Sequence, residues 1–188
     1  MNYGLPTTVN IGGKEVTIRT DFRVILDIIS FMHDPELTEE EKGLASLAAF
    51  YPDLDELTDY EEAVKQMLWF VDGGEDRRSK SSPSLVDWEQ DWGHIIGPVN
   101  RVLGYEARAV PYDAAENTGG LHWWTFLAAY MEMGGDCVMA QIVSIRDKQK
   151  RGKKLEKHER EWYRRNKDLV DFKQKFTEAE DDLIKEWT

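Results

Sequence analysis

A chain of 188 residues suffices for one domain with an appendage; able to remove roughly 70% of its unfolded surface from water, it needs neither disulfide nor metal to fold. Its 41% hydrophobic and 32% charged residues, with seven Trp, seven Tyr and seven Phe, exclude wholesale disorder. The net charge of -12 divides into -15 over residues 1–145, +7 over 146–167 and -4 beyond; an acidic body of this kind repels nucleic acid, which is therefore not expected as a partner.

The single cysteine, Cys137, forms no intramolecular bridge, and "MNYGLPTTVN" lacks the basic start and apolar run of a secretion signal. No apolar stretch approaches the ~20 residues of a membrane span. The expectation is a soluble protein of the cytoplasm.

In chain order, Val9 and Ile11, then Val16 and Ile18, alternate about Gly12-Gly13, which predicts a two-residue β-hairpin needing a helix to cover its apolar face. Thr20 is placed to cap a helix with Phe22, Ile25, Ile29 and Met32 at helical spacing, and with Arg23 and Asp27 four apart on its polar face. "TEEE" at 38–41 and "TDYE" at 58–61 have the pattern of capping boxes and open two more helices, stopped by Pro52 and by Gly73-Gly74. Ser84 is expected to cap a helix bearing Leu85, Trp88, Trp92, Ile95 and Ile96, broken or kinked at Gly97-Pro98. The stretch 105–120 reads as irregular. A helix from Leu121 stops at Gly134-Gly135, Asp136 caps the next to about Arg146, and a final helix runs from about Leu155 to Trp187. The fold class is α+β and predominantly helical: a hairpin packed on a multi-helix domain over 1–150, then a long C-terminal helix as an extension over 151–188.

"LHWWTF" at 121–126 sets two indoles about 100° apart on one helix, so Trp123 and Trp124 should face different neighbours in a core rather than form one ligand platform. Asp87, Asp91 and His94 share a helix face at a spacing that could hold a metal or an acid/base pair; opposite the stripe of Leu85, Trp88 and Trp92, the same residues also read as a solvated face. His33, His122 and His158 are scattered and supply no second ligand cluster. Cys137 in "GGDCVMAQ" reads as a packing residue, and there is no phosphate-binding glycine loop or nucleophile elbow. Neither catalysis nor a cofactor is expected.

Partner binding is the remaining class. Trp69 projects near Glu62 and Lys65, away from the stripe of Tyr60, Ala63, Val64, Met67, Phe70 and Val71; it either meets a partner or packs on a second helix. Leu155, Trp162, Leu169, Phe176 and Leu183 recur every seven residues, a seam that seeks another helix from this domain, a second copy or another protein.

"LPTTVNIGGKEVTIRTDFR" at 5–23, "FYPDLDELTDYEEAVKQMLWFVDGG" at 50–74, "VDWEQD" at 86–91, "LHWWTF" and "SIRDKQK" at 144–150 resemble, in this order, the bacteriophage gene-product-fifteen family. These are small tail-region proteins of long-tailed phages and prophages of Gram-positive bacteria, and the resemblance covers about residues 5–167. Their genes typically lie between those of the major tail protein and the tape-measure protein. The resemblance thus implies a tail assembly chaperone in the bacterial host's cytoplasm, with the tape-measure protein and the major tail protein as partners and no catalytic motif. A structural tail or head-tail component retained in the virion is the alternative.

Overall fold

The computed structural model describes residues 4–75 and 85–173. They fall into two compact units, one of residues 4–75 with 108–127 and one of 85–107 with 128–173. The class is α+β and predominantly helical, opened by the expected hairpin.

In the first unit, β1 (Thr8–Ile11) pairs antiparallel with β2 (Lys14–Thr17), Val9 opposite Val16. Gly12 and Gly13 take φ of 58° and 85°, the left-handed pair that a tight hairpin demands, and the Asn10 side chain accepts from the Gly13 N–H. The alternation buries Val9, Ile11, Val16 and Ile18.

Helix α1 (Phe22–Met32) is capped by Asp21, not Thr20, and buries Phe22, Ile25 and Ile28. The Thr20 carbonyl is instead used by the Trp123 N–H at 2.7 Å. Arg23 pairs with Asp21 rather than Asp27, through Nε to Oδ1 at 2.7 Å and Nη2 to Oδ2 at 3.1 Å. That hydrogen bond raises the Arg23 pKa. Helix α2 (Glu39–Phe50) begins with the full Thr38/Glu41 capping box. Helix α3 (Tyr60–Val71) starts one residue later than the Thr58 pattern suggests, because the Asp59 carboxylate takes the Glu62 N–H at 3.0 Å. Here the short anionic side chain of Asp59 takes the cap from the Thr58 hydroxyl one residue earlier. Phe50 and Phe70 meet at 5.4 Å between centroids, and the Tyr51 hydroxyl donates to the Ala63 carbonyl at 2.8 Å.

Within 108–120, expected to be irregular, a second hairpin forms from β3 (Tyr112–Asp113) and β4 (Thr118–Gly119). Short polar side chains build it: Asp113 accepts from the Ala115 and Glu116 N–H groups, and Asn117, at φ 49°, donates to the Ile18 carbonyl.

In the second unit, α4 (Trp88–Leu103) is capped by Asp87; Ser84 lies outside the described residues. Gly97-Pro98 do not end it. Pro98 lacks an N–H for the preceding turn, yet Ile95, Ile96 and Val99 are buried on one face, and the helix continues to Gly104 at φ 77°. Helix α5 (Trp123–Met131) has residues 123–127 in the first unit and the rest in the second; it precedes α6 (Val138–Lys150), whose cap is Cys137 through Sγ rather than Asp136. Asp136 lies 3.6 Å from Arg101.

The last segment departs most from expectation. A continuous helix from Leu155 is replaced by α7 (Lys157–Arg165) and a single turn, α8 (Lys167–Val170). Asn166, at φ -127° and ψ 30°, breaks the helix, and its side-chain amide donates to the Trp162 carbonyl. The turn buries Val170 and delivers the Leu169 and Val170 carbonyls to Arg146. The remainder of the expected helix, from 174 to its expected end at 187, lies outside the described residues.

Candidate functional site

The "LHWWTF" indoles are structural, and they face different neighbours as expected. The last carbonyls of a helix need donors from beyond it. Trp123 Nε1 donates to the Val71 carbonyl at 2.8 Å, and Trp124 Nε1 adds a second donor at 2.9 Å to the Phe70 carbonyl, which also accepts the Gly73 N–H at 3.0 Å. Trp123 is 1% exposed and stacks on Phe126, whereas Trp124 stacks on Phe70. Gly74 makes room for it at φ 83°, since a Cβ there would lie 2.7 Å from the indole. His122 completes the cluster: its Nδ1 accepts the Trp124 N–H, so Nε2 carries the proton and donates to the Pro6 carbonyl at 3.0 Å. Burial lowers its pKa.

Trp69, the first candidate contact residue, is half-buried. Its Nε1 donates to the Gly74 carbonyl and its ring meets Trp124 edge-on at 5.4 Å, so the packing alternative accounts for part of its surface. Beside it Leu68 is 41% exposed, and Leu44 on α2 is 60% exposed.

The heptad is only partly brought together. Leu155 precedes α7, Trp162 lies on it and Leu169 lies on α8 beyond the break; all three are half-buried. No single helix carries them. Phe176 and Leu183 lie outside the described residues.

Asp87, Asp91 and His94 do not converge as ligands. Asp87 caps α4 through the Glu89 and Gln90 N–H groups. Asp91 is 1% exposed rather than solvated, and it is held by Arg146, itself 2% exposed, through Nη1 to Oδ2 at 2.5 Å and Nη2 to Oδ1 at 3.0 Å. Arg146 also donates to the carbonyls of Leu85, Leu169 and Val170, and Phe172 lies over its guanidinium at 4.1 Å. Among the described residues, no group of three or more His, Cys, Asp or Glu is placed to hold a metal.

This buried pair was readable from helical spacing. Asp91 stands three residues after Trp88 and four before Ile95, on the apolar stripe, and Arg146 continues Met139 and Ile142 at i+7 and i+4. An Arg and an Asp each on an apolar stripe are a signal for mutual burial. Against the same unit, burial pushes the Tyr130 phenol up to about 12.

The family model for the Bacteriophage Gp15 protein matches residues 1–94 and 110–172. The chain belongs to that family. Comparison with curated proteins found no match, and neither did comparison with solved structures. The matched span holds the tandem indoles and the Asp91–Arg146 pair, so this family member's matched residues include both clusters that organise its interior. No helix among the described residues is long and apolar enough to cross a membrane.

Proposed function

We propose that the chain is a phage tail assembly chaperone that binds the tape-measure protein and assists tail-tube assembly without catalysis. Membership of the Bacteriophage Gp15 protein family carries this reading, together with the tail-region gene position that the resemblance implies. The surface suits the task physically. A tape-measure chain presents long apolar helical seams, and helices that leave Leu44 on α2 and Leu68, next to half-buried Trp69, on α3 exposed offer shallow apolar contacts. An acidic body around them keeps the complex soluble. Trp69, Leu155, Trp162 and Leu169 are the contact residues of this reading, with Phe176 and Leu183 beyond the described span. Half-burial limits what each contributes, which suits a partner that must be released as the tube grows.

A tagged tape-measure protein should retain this chain on affinity purification from a host expressing both, and Leu68→Glu should weaken retention while leaving the fold intact. Purified virions should lack the protein. Stoichiometric copies in mass spectra of virions would replace this reading with that of a structural tail or head-tail component.

A further inference from the structure

The charge reversal along the chain has a structural counterpart on α7. Glu159, Trp162 and Tyr163 are its half-buried positions, and Glu159 pairs with Lys148 at 2.5 Å. The opposite face presents Lys157, Arg160 and Arg164 at i, i+3 and i+7, all exposed, over about 10 Å of helix, with Glu161 among them. Among the described residues none of these three cations has an ion-pair partner.

The complement lies at residues 53–62, "DLDELTDYEE", with six carboxylates and no cation. It forms the one-turn 3-10 helix Leu54–Glu56 and the first turn of α3. Lys14 and Lys65 each reach one carboxylate, Glu56 and Glu61, which leaves the knob strongly anionic. Tyr60 stands among these side chains at 56% exposure. An exposed tyrosine within a run of carboxylates is a natural anchor for a row of cations, offering a ring face for cation–π contact and opposite charge on the residues flanking it in sequence.

We infer that the Lys157–Arg160–Arg164 face docks the acidic knob around Tyr60 on a second copy of this chain. Because the two surfaces differ, the contact is heterologous and adds copies head to tail, closing as a ring or growing as a chain. A few exposed ion pairs and one tyrosine give a weak, salt-sensitive contact. Nucleic acid is the disfavoured occupant because the chain carries -12 overall. The inference stands independently of the chaperone reading.

Sedimentation velocity of the full chain tests it. In about 50 mM salt the weight-average mass should rise with protein concentration, and in about 500 mM salt it should stay at that of one chain. Two folded variants, checked by circular dichroism, divide the contact. Lys157→Gln/Arg160→Gln/Arg164→Gln removes the basic face, and Asp55→Asn/Tyr60→Ser/Glu61→Gln removes the knob without touching the capping aspartates. Each alone should self-associate about tenfold or more weakly. Mixed, the two should form a 1:1 pair and nothing larger, since each retains one intact surface. A chain that stays single at every concentration in low salt overturns the proposal, as does association that survives either variant or high salt. Failure of the mixture to pair overturns it too, and places any charge contact within one chain. Binding of a short duplex DNA through the basic face, in place of self-association, reassigns that face to nucleic acid.

Discussion

Asp91 and Arg146, 55 positions apart, form a two-point ion pair that is almost wholly shielded from water. Removing one partner strands the other's charge, so Asp91→Ala and Arg146→Ala should each cost about 3–5 kcal/mol. Arg146→Lys should recover little, because one ammonium cannot replace a fork serving Asp91 and three carbonyls. The double change Asp91→Leu/Arg146→Met should recover only part of the loss, since the Leu85, Leu169 and Val170 carbonyls still lack Arg146 as donor. Urea unfolding of the four variants measures this; full recovery in the double variant would show that the carbonyls do not depend on Arg146.

The tandem indole cap makes a separate prediction. Trp123→Phe keeps most of the apolar volume and deletes the N–H that serves the Val71 carbonyl, and should destabilise by about 1–3 kcal/mol. Trp124→Phe should cost less, because the Phe70 carbonyl keeps the Gly73 N–H as a donor. Equilibrium unfolding monitored by far-ultraviolet circular dichroism gives both values, and hydrogen exchange should show faster opening at the end of α3.

Gly120 lies at φ 82°, and a Cβ there would sit 2.4 Å from Asp21 Oδ2, the oxygen that accepts the Leu121 N–H. Gly120→Ala should therefore be more damaging than Gly43→Ala within α2, where nothing lies within 4 Å of an added Cβ. A midpoint comparison of the two variants decides, with equal midpoints contradicting the packing described.

His122 predicts a pH dependence. Burial lowers its pKa in the folded chain, so the unfolded chain takes up the proton first as pH falls. Its contribution to stability is complete above the unfolded value of about 6.5 and is lost as pH falls through the folded value. Protonation also gives Nδ1 a hydrogen facing the Trp124 N–H. The stability difference between the native chain and His122→Gln should shrink between neutral and mildly acidic pH; a difference that stays constant would contradict the buried neutral ring.

Much of this architecture was legible in the sequence because local chemistry decides it. The Gly12-Gly13 turn, the Thr38/Glu41 box and the divergent indoles of Trp123 and Trp124 depend on spacings of a few residues. Helix starts shifted where an aspartate stood one residue beyond a threonine, as at Asp21 and Asp59, whereas Thr38, followed by Glu39, keeps its place as cap. What stayed hidden was long-range. The break at Asn166 accompanies the docking of the α8 carbonyls onto Arg146, and although helical spacing sets Asp91 and Arg146 each on an apolar stripe, which acid meets which base across 55 positions is decided by tertiary packing. The seven-residue recurrence of Leu155, Trp162 and Leu169 is real in sequence, but tertiary contacts divide it among a loop and two helices.

The chaperone reading is tested most directly by the soluble yield of the tape-measure protein expressed in a bacterial host with and without this chain. The yield should rise on co-expression, return toward the unaided level with Leu68→Glu, and be accompanied by co-purification of the two proteins. An unchanged yield and no co-purification, with both proteins full-length and this chain folded, would contradict it.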